Sequence, residues 1–158
     1  MKDKIKLLFV CLGNICRSPA AEGIMKKLTD NRGLADSVRV DSAGTYGGHA
    51  GEPADQRMRM AASKRGYDLT SISRKIRMDD FFNFDMIIVM DDDNYENVSR
   101  LAPDIESLDK IHRMTDFCRK HDVPYVPDPY YGGSRGFENV LDILEDACTG
   151  LLDEIACK

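Results

Sequence analysis

The stretch from Lys4 to Cys11 restricts the fold more than any other. It is a near-continuous apolar run with β-branched and aromatic members. A strand with one wet face would alternate apolar and polar residues. This run does not, so it suits a strand buried on both faces, as in a parallel sheet. Its unbroken part, Leu7 to Leu12, is far too short to cross a bilayer. A loop follows, and then a helix. Ser18 suits the N-cap, and Pro19 suits the first helical position. Ala21, Ile24, Met25 and Leu28 recur at helical spacing, and Gly33 is a plausible end.

The same alternation continues. Val38 to Ala43 reads as a second strand leading into the Gly-rich loop Gly44 to Gly51. A second helix is expected from Pro53 to Arg65, stopping at Gly66. Met86 to Met90 reads as a third strand. Asp91, Asp92 and Asp93 after it favour a helix start through the helix dipole. A weaker fourth strand is expected near Lys110 to Met114. Val123 to Gly136, rich in Pro, Tyr and Gly, reads as a long surface loop. Ser134 is a candidate cap for the last helix. There Phe137, Val140, Leu141, Leu144, Ala147, Cys148, Leu151 and Ile155 build one apolar face. Alternating strands and helices predict right-handed crossovers and a doubly wound α/β fold, a four-stranded parallel sheet flanked by helices.

The chain has 158 residues, which predicts one domain. A net charge of −5 argues against a nucleic-acid partner and makes any anion site a local achievement. The lysines and apolar run at the N-terminus superficially suit a signal peptide. Gly13 and Asn14 interrupt it, however, and no small-residue cleavage site follows. Large residues before Cys11 also argue against a lipoprotein signal. The expectation is a reducing, cytoplasmic location with no membrane partner and no structural disulfide among the five cysteines. No metal site is expected. Cys11 and Cys16 have no second pair after them, and His49, His112 and His121 are scattered.

Ligands of open α/β sheets bind beyond the carboxyl ends of the strands. Here that position holds Cys11-Leu12-Gly13-Asn14-Ile15-Cys16-Arg17-Ser18-Pro19. Its chemistry is that of an anion site containing a nucleophile. Loop amides can converge on an oxyanion, a helix N-terminus adds partial positive charge, and Arg17 offers a planar fork matched to phosphate oxygens. Gly13 and Asn14 tolerate the left-handed backbone of a tight cradle. The same field favours the thiolate of Cys11. A Cys and an Arg at this spacing are weak alone; the strand before them and the capped helix after them supply the weight. No Walker loop or dinucleotide motif is present.

At these residues the chain resembles the low-molecular-weight protein tyrosine phosphatases. Val-Cys-x-Gly-Asn-x-Cys-Arg-Ser-Pro, from Val10 to Pro19, matches that family's signature, and Asp128-Pro129-Tyr130 matches its second mark. Ser42-Ala43-Gly44-Thr45 and Gly51-Glu52-Pro53-Ala54-Asp55 are similar to further family segments. The resemblance implies a flavodoxin-like fold of the phosphotyrosine phosphatase I type, forming one domain over residues 1–158. It implies that Cys11 attacks phosphorus and forms a cysteinyl-phosphate. Arg17 and the amides from Leu12 through Gly13, Asn14, Ile15 and Cys16 would bind the phosphate. Ser18 would donate to the Cys11 sulfur, and Asp128 would be general acid and then base. Asn14 would brace the loop with Ser42. Tyr46, Tyr130 and Tyr131 would wall the substrate ring. Cys16 would be a possible redox partner of Cys11, and Cys118, Cys148 and Cys157 bystanders. No cofactor or metal is implied. The expected partners are a phosphotyrosine protein or peptide, with phosphate or vanadate as competing ligands, and a monomer is expected.

Two departures stand out. Many relatives carry an aromatic residue where this chain has Gly48, and a histidine supporting the loop asparagine where it has Ser71. Three rivals stay open. Thiol-linked arsenate reductases share the fold, yet they relay oxidation through a further cysteine pair, and Arg77 to Arg100 contains none. Arginine phosphatases of the family typically have Thr at the position of Ile15, where a bulky aliphatic favours a flat aromatic ester. A non-catalytic phosphotyrosine-binding module would be expected to lack one of Cys11, Arg17, Ser18 and Asp128.

Overall fold

The structure, a computed structural model, describes residues 4–129 and 133–156. Strand β1, Ile5–Cys11, lies between β2, Val38–Gly44, and β3, Met86–Val89; β4, Ile111–Arg113, completes the sheet beside β3. All pairings are parallel, in the order β2-β1-β3-β4. Cys11 pairs with Gly44 and Val10 with Val89, so three strands end at one level.

The apolar run explains why β1 is central. Leu7, Phe9 and Cys11 point to one face and Leu8 and Val10 to the other, as the two-residue period requires. The first set packs under α1, Arg17–Asn31, and α6, Ser134–Ala156. The second packs with Phe81, Phe84, Val98 and Ile111 on the opposite face. Each fully buried large side chain contributes roughly 1.5–3 kcal/mol, so β1 is anchored from both sides. Every α6 residue named for the apolar face is buried. At Gly150 an added Cβ would lie 2.0 Å from the Phe117 carbonyl, so α6 needs glycine there to approach the turn Met114–Phe117.

Several boundaries shift for identifiable reasons. Helix α2 spans Gln56–Ser63, shorter than the expected span from Pro53 to Arg65, because Asp55 caps it by accepting from the Arg57 amide at 2.8 Å. Pro53 instead bridges to Ile72, and Gly66 turns the chain at φ +88°. Short helices α3, Asp80–Asn83, and α5, Ile105–Leu108, escape periodicity because one turn carries no repeat. Helix α4, Asp92–Leu101, starts behind Asp91, which accepts from the Asn94 amide. Ser18 does not cap α1. The helix begins at Arg17, its preceding residue is Cys16, and no side chain caps its first turn. The Ser18 hydroxyl is committed elsewhere. Among the described residues, no helix is long and apolar enough to cross a membrane.

Candidate active site

The strand order reverses between β1 and β3, and there the loops after the two strands diverge and leave a crevice. The loop from Cys11 to α1 fills it. Four of its carbonyls are held from outside. Thr45 N–H donates to Cys11 O at 2.9 Å, Tyr46 N–H to Leu12 O at 2.8 Å, and Asp55 N–H to Ile15 O at 2.7 Å. The Ser73 hydroxyl donates to Gly13 O at 2.9 Å. A trans peptide points its N–H opposite its C=O, so tying the carbonyls outward turns the adjoining amides inward. Among the described residues, the amides from Gly13 to Arg17 donate no backbone hydrogen bond. Asn14 has φ +56°, the left-handed turn that closes the cradle. Gly44 can carry no side chain, since a Cβ would lie 2.8 Å from Leu12 O.

The cavity so formed has a volume of about 110 Å³ and is lined by Cys11, Leu12, Gly13, Ile15, Cys16, Arg17, Tyr46, His49 and Asp128. Cys11 is only 2% exposed. Its Sγ lies 3.1 Å from Ser18 Oγ, which accepts from Asn14 Nδ2 at 2.8 Å. Asn14 Oδ1 in turn accepts from the Arg74 amide at 3.0 Å. Burial pushes the Cys16 thiol well up, and Asp55 and Cys11 add to the effect, so Cys16 stays protonated.

Arg17 is 2% exposed. Its Nη1 donates to Asp91 Oδ2 at 2.6 Å and to Val126 O at 3.0 Å, and its Nη2 lies 3.6 Å from Asp128 Oδ2. Burial pulls its pKa down, but Cys11, Asp91 and Asp128 outweigh it and the net direction is up, so the guanidinium stays charged. Val126 N–H also bonds to Met90 O at 2.8 Å. The chain two residues before Asp128 is thus tied both to Met90, just after β3, and to Arg17.

Asp91 is the residue that sequence reasoning missed. Its acidity was accounted for by the helix start, and it does cap α4. Its other oxygen holds Arg17. The available signal was its place at the end of the strand next to β1, where the sheet order reverses.

The other expected residues divide. Ser42 does not brace Asn14: its hydroxyl donates to Glu22 Oε1 at 2.6 Å, on α1. The support expected to replace the histidine at Ser71 comes from Ser73 and Arg74. Tyr46 is 56% exposed and meets His49 edge-on, ring centroids 6.1 Å apart. Gly48 makes room for it, since a Cβ there would fall 2.2 Å from the Tyr46 ring. Tyr130, Tyr131 and Cys157 lie outside the described residues. Cys118 and Cys148 are free thiols away from the cavity; burial and Asp146 push Cys118 up to about 12. Among the described residues, no group of three or more His, Cys, Asp or Glu side chains could hold a metal ion.

Comparison with known proteins agrees with this geometry. The family model for low molecular weight phosphotyrosine protein phosphatase matches residues 6–158. A low molecular weight protein-tyrosine-phosphatase of Streptomyces coelicolor is 39% identical, covering 93% of this chain and 91% of its own. A protein tyrosine phosphatase of Entamoeba histolytica, solved with Hepes in its active site, is 51% identical with a TM-score of 0.94, covering 97% of each chain. A Drosophila arginine phosphatase is 32% identical with a TM-score of 0.88, covering 96% of this chain and 98% of its own. The family match and these relatives make the chain a phosphatase of the hydrolase class. The chain belongs to the low molecular weight phosphotyrosine protein phosphatase family.

Proposed function

We propose that the protein hydrolyses phosphotyrosine in two steps through a cysteinyl-phosphate. In the first step Cys11 Sγ bonds to phosphorus as the bond to the phenolic oxygen breaks, and Asp128 gives its proton to that oxygen. In the second, Asp128 takes a proton from water as water attacks and the S–P bond breaks. Arg17 and the inward amides stabilise charge on the three equatorial oxygens. Ser18 donates to the sulfur and eases its departure. One observation carries this reading: Cys11, the buried charged Arg17 and Asp128 line a single small cavity. The reading has the enzyme acting as a cytoplasmic monomer.

The test is a parallel assay on phosphotyrosine, phosphoserine and phosphoarginine peptides, with arsenate plus thiol as a control. Phosphotyrosine should be turned over fastest, a chelator should leave the rate unchanged, and phosphate or vanadate should compete. Loss of activity with chelator, or no competition by phosphate, would sink the mechanism. Phosphoarginine is the second reading, because the Drosophila arginine phosphatase shares the fold. Ile15 lines the cavity with an aliphatic wall, which suits a flat aromatic ester better than a guanidinium. A faster rate on phosphoarginine would reverse the order of the two readings.

Tyr46 walls the substrate ring in this reading, and Gly48 permits it. Gly48→Ala should displace the Tyr46 ring. We expect KM for phosphotyrosine peptides to rise by roughly 3- to 10-fold, the size of one aromatic contact, with kcat nearly constant. Inhibition by inorganic phosphate, which has no ring, should not change. An unchanged KM would remove Tyr46 from the wall.

A further inference from the structure

We infer that Asp80, outside the cavity, is a positioning residue for the Cys11 sulfur and acts through Arg74, Asn14 and Ser18. Asp80 is 1% exposed. Its carboxylate accepts both prongs of the Arg74 guanidinium, Nη1 at 3.0 Å and Nη2 at 3.1 Å, and also the Arg77 amide at 2.8 Å. Such a two-pronged pair fixes orientation as well as charge. Asp41 takes a second contact from Arg74 Nη2 at 3.2 Å. The backbone beside Arg74 is the strut under the loop: Gly44 N–H donates to Arg74 O and Ile76 N–H to Gly44 O, both at 2.8 Å.

The strut sets the direction of the hydrogen bonds that reach the sulfur. A backbone N–H can only donate, so the Arg74 amide fixes which end of the Asn14 side chain is the oxygen. Asn14 must then offer its NH₂ to Ser18. That occupies an Oγ lone pair and leaves the hydroxyl hydrogen to choose between Cys11 Sγ at 3.1 Å and Ala43 O at 3.3 Å. With the pin in place a thiolate is the stronger acceptor and wins. Without it, the Asn14 amide can turn over and present Oδ1 to Ser18, whose hydroxyl then donates to Asn14 or to Ala43 O, and the sulfur loses its donor. The other charged or titratable groups at this cavity are Arg17 on α1, Asp128 on the late loop, Tyr46 and His49 after β2 and Cys16 in the loop itself, with Asp91 behind Arg17. Around Asp80 they are Lys6, Arg39, Asp41, Arg74 and Arg77.

The inference rests on Cys11 being the nucleophile, but its main readout, alkylation of the Cys11 thiol by iodoacetate as a function of pH, needs no turnover. In Asp80→Asn the midpoint of that profile should move up by about one pH unit, the effect of losing one donor to a thiolate. In the same variant kcat for an aryl phosphate should fall about 10-fold, with KM and phosphate inhibition within about 2-fold. Ser18→Ala should move the midpoint similarly. In that background Asp80→Asn should add no further shift, because the path to the sulfur is already cut. A merely structural loss would add in both backgrounds. If Asp80→Asn does not fold, Arg74→Lys provides the same readings, since it keeps the charge and loses only the fork on a half-buried side chain. A folded variant with the parent midpoint, or full additivity with Ser18→Ala, would overturn the inference. If Cys11→Ser keeps turnover instead, the mechanism fails while the alkylation result still decides the positioning.

Discussion

Cys11→Ser should lower phosphotyrosine turnover by at least about 10,000-fold while phosphate and vanadate still bind. The chemical reason is that a thiol ionises far more readily than a serine hydroxyl and is the better nucleophile toward phosphorus. The structural reason is that the anion cradle does not depend on the sulfur. Arg17 is held by Asp91 and Val126, and the loop carbonyls are held by Thr45, Tyr46, Ser73 and Asp55. None of these contacts passes through Sγ. Serine is smaller than cysteine, so it enters the buried position without a clash. Steady-state rates and a phosphate competition assay on the folded variant test both halves. Substantial residual turnover would exclude Cys11 as nucleophile, and loss of phosphate binding would mean that the sulfur builds the cradle.

The parts of this site that could be read from the sequence are those that residue type encodes directly. The unalternating run into Cys11 specified a strand with two buried faces, and the alternation of elements specified the sheet. Gly13 and Asn14 announced a tight loop, and the left-handed turn falls on Asn14. The α6 face was legible because it repeats over many turns. Ser18 reads both as the cap of α1 and, through the resemblance, as the donor to the Cys11 sulfur; the first reading fails because the helix begins at Arg17 with no side-chain cap, while the hydroxyl lies 3.1 Å from Sγ. Ser42 was misassigned because Glu22, twenty positions earlier, reaches it first. Asp91 was accounted for, with Asp92 and Asp93, by the helix dipole, so nothing prompted a search for its contact with Arg17. The support from Arg74 was the least legible. It runs through a backbone N–H, which any residue but proline supplies, across sixty positions of chain.

Asp128→Ala should separate substrates by their leaving groups. Tyrosine leaves as a phenolate of pKa about 10, so its departure needs a proton in the transition state; a nitrophenolate leaves readily without one. We expect a loss of about 100- to 10,000-fold on phosphotyrosine and a far smaller one on nitrophenyl phosphate. Asp128 is suited to the role by its setting. Its side chain is 33% exposed, so it can exchange protons with solvent between the two steps. It also faces the cavity beside Arg17, at 3.6 Å, without claiming the short contact that Asp91 makes at 2.6 Å. Two carboxylates therefore flank one guanidinium at different distances: the close one orients Arg17, and in the proposed reading the more distant one acts on the leaving group. Asp91→Asn should consequently weaken phosphate inhibition, whereas Asp128→Ala should leave it nearly intact. An equal loss on every leaving group would remove Asp128 as the acid, and a matching loss of phosphate binding would make it a second support for Arg17.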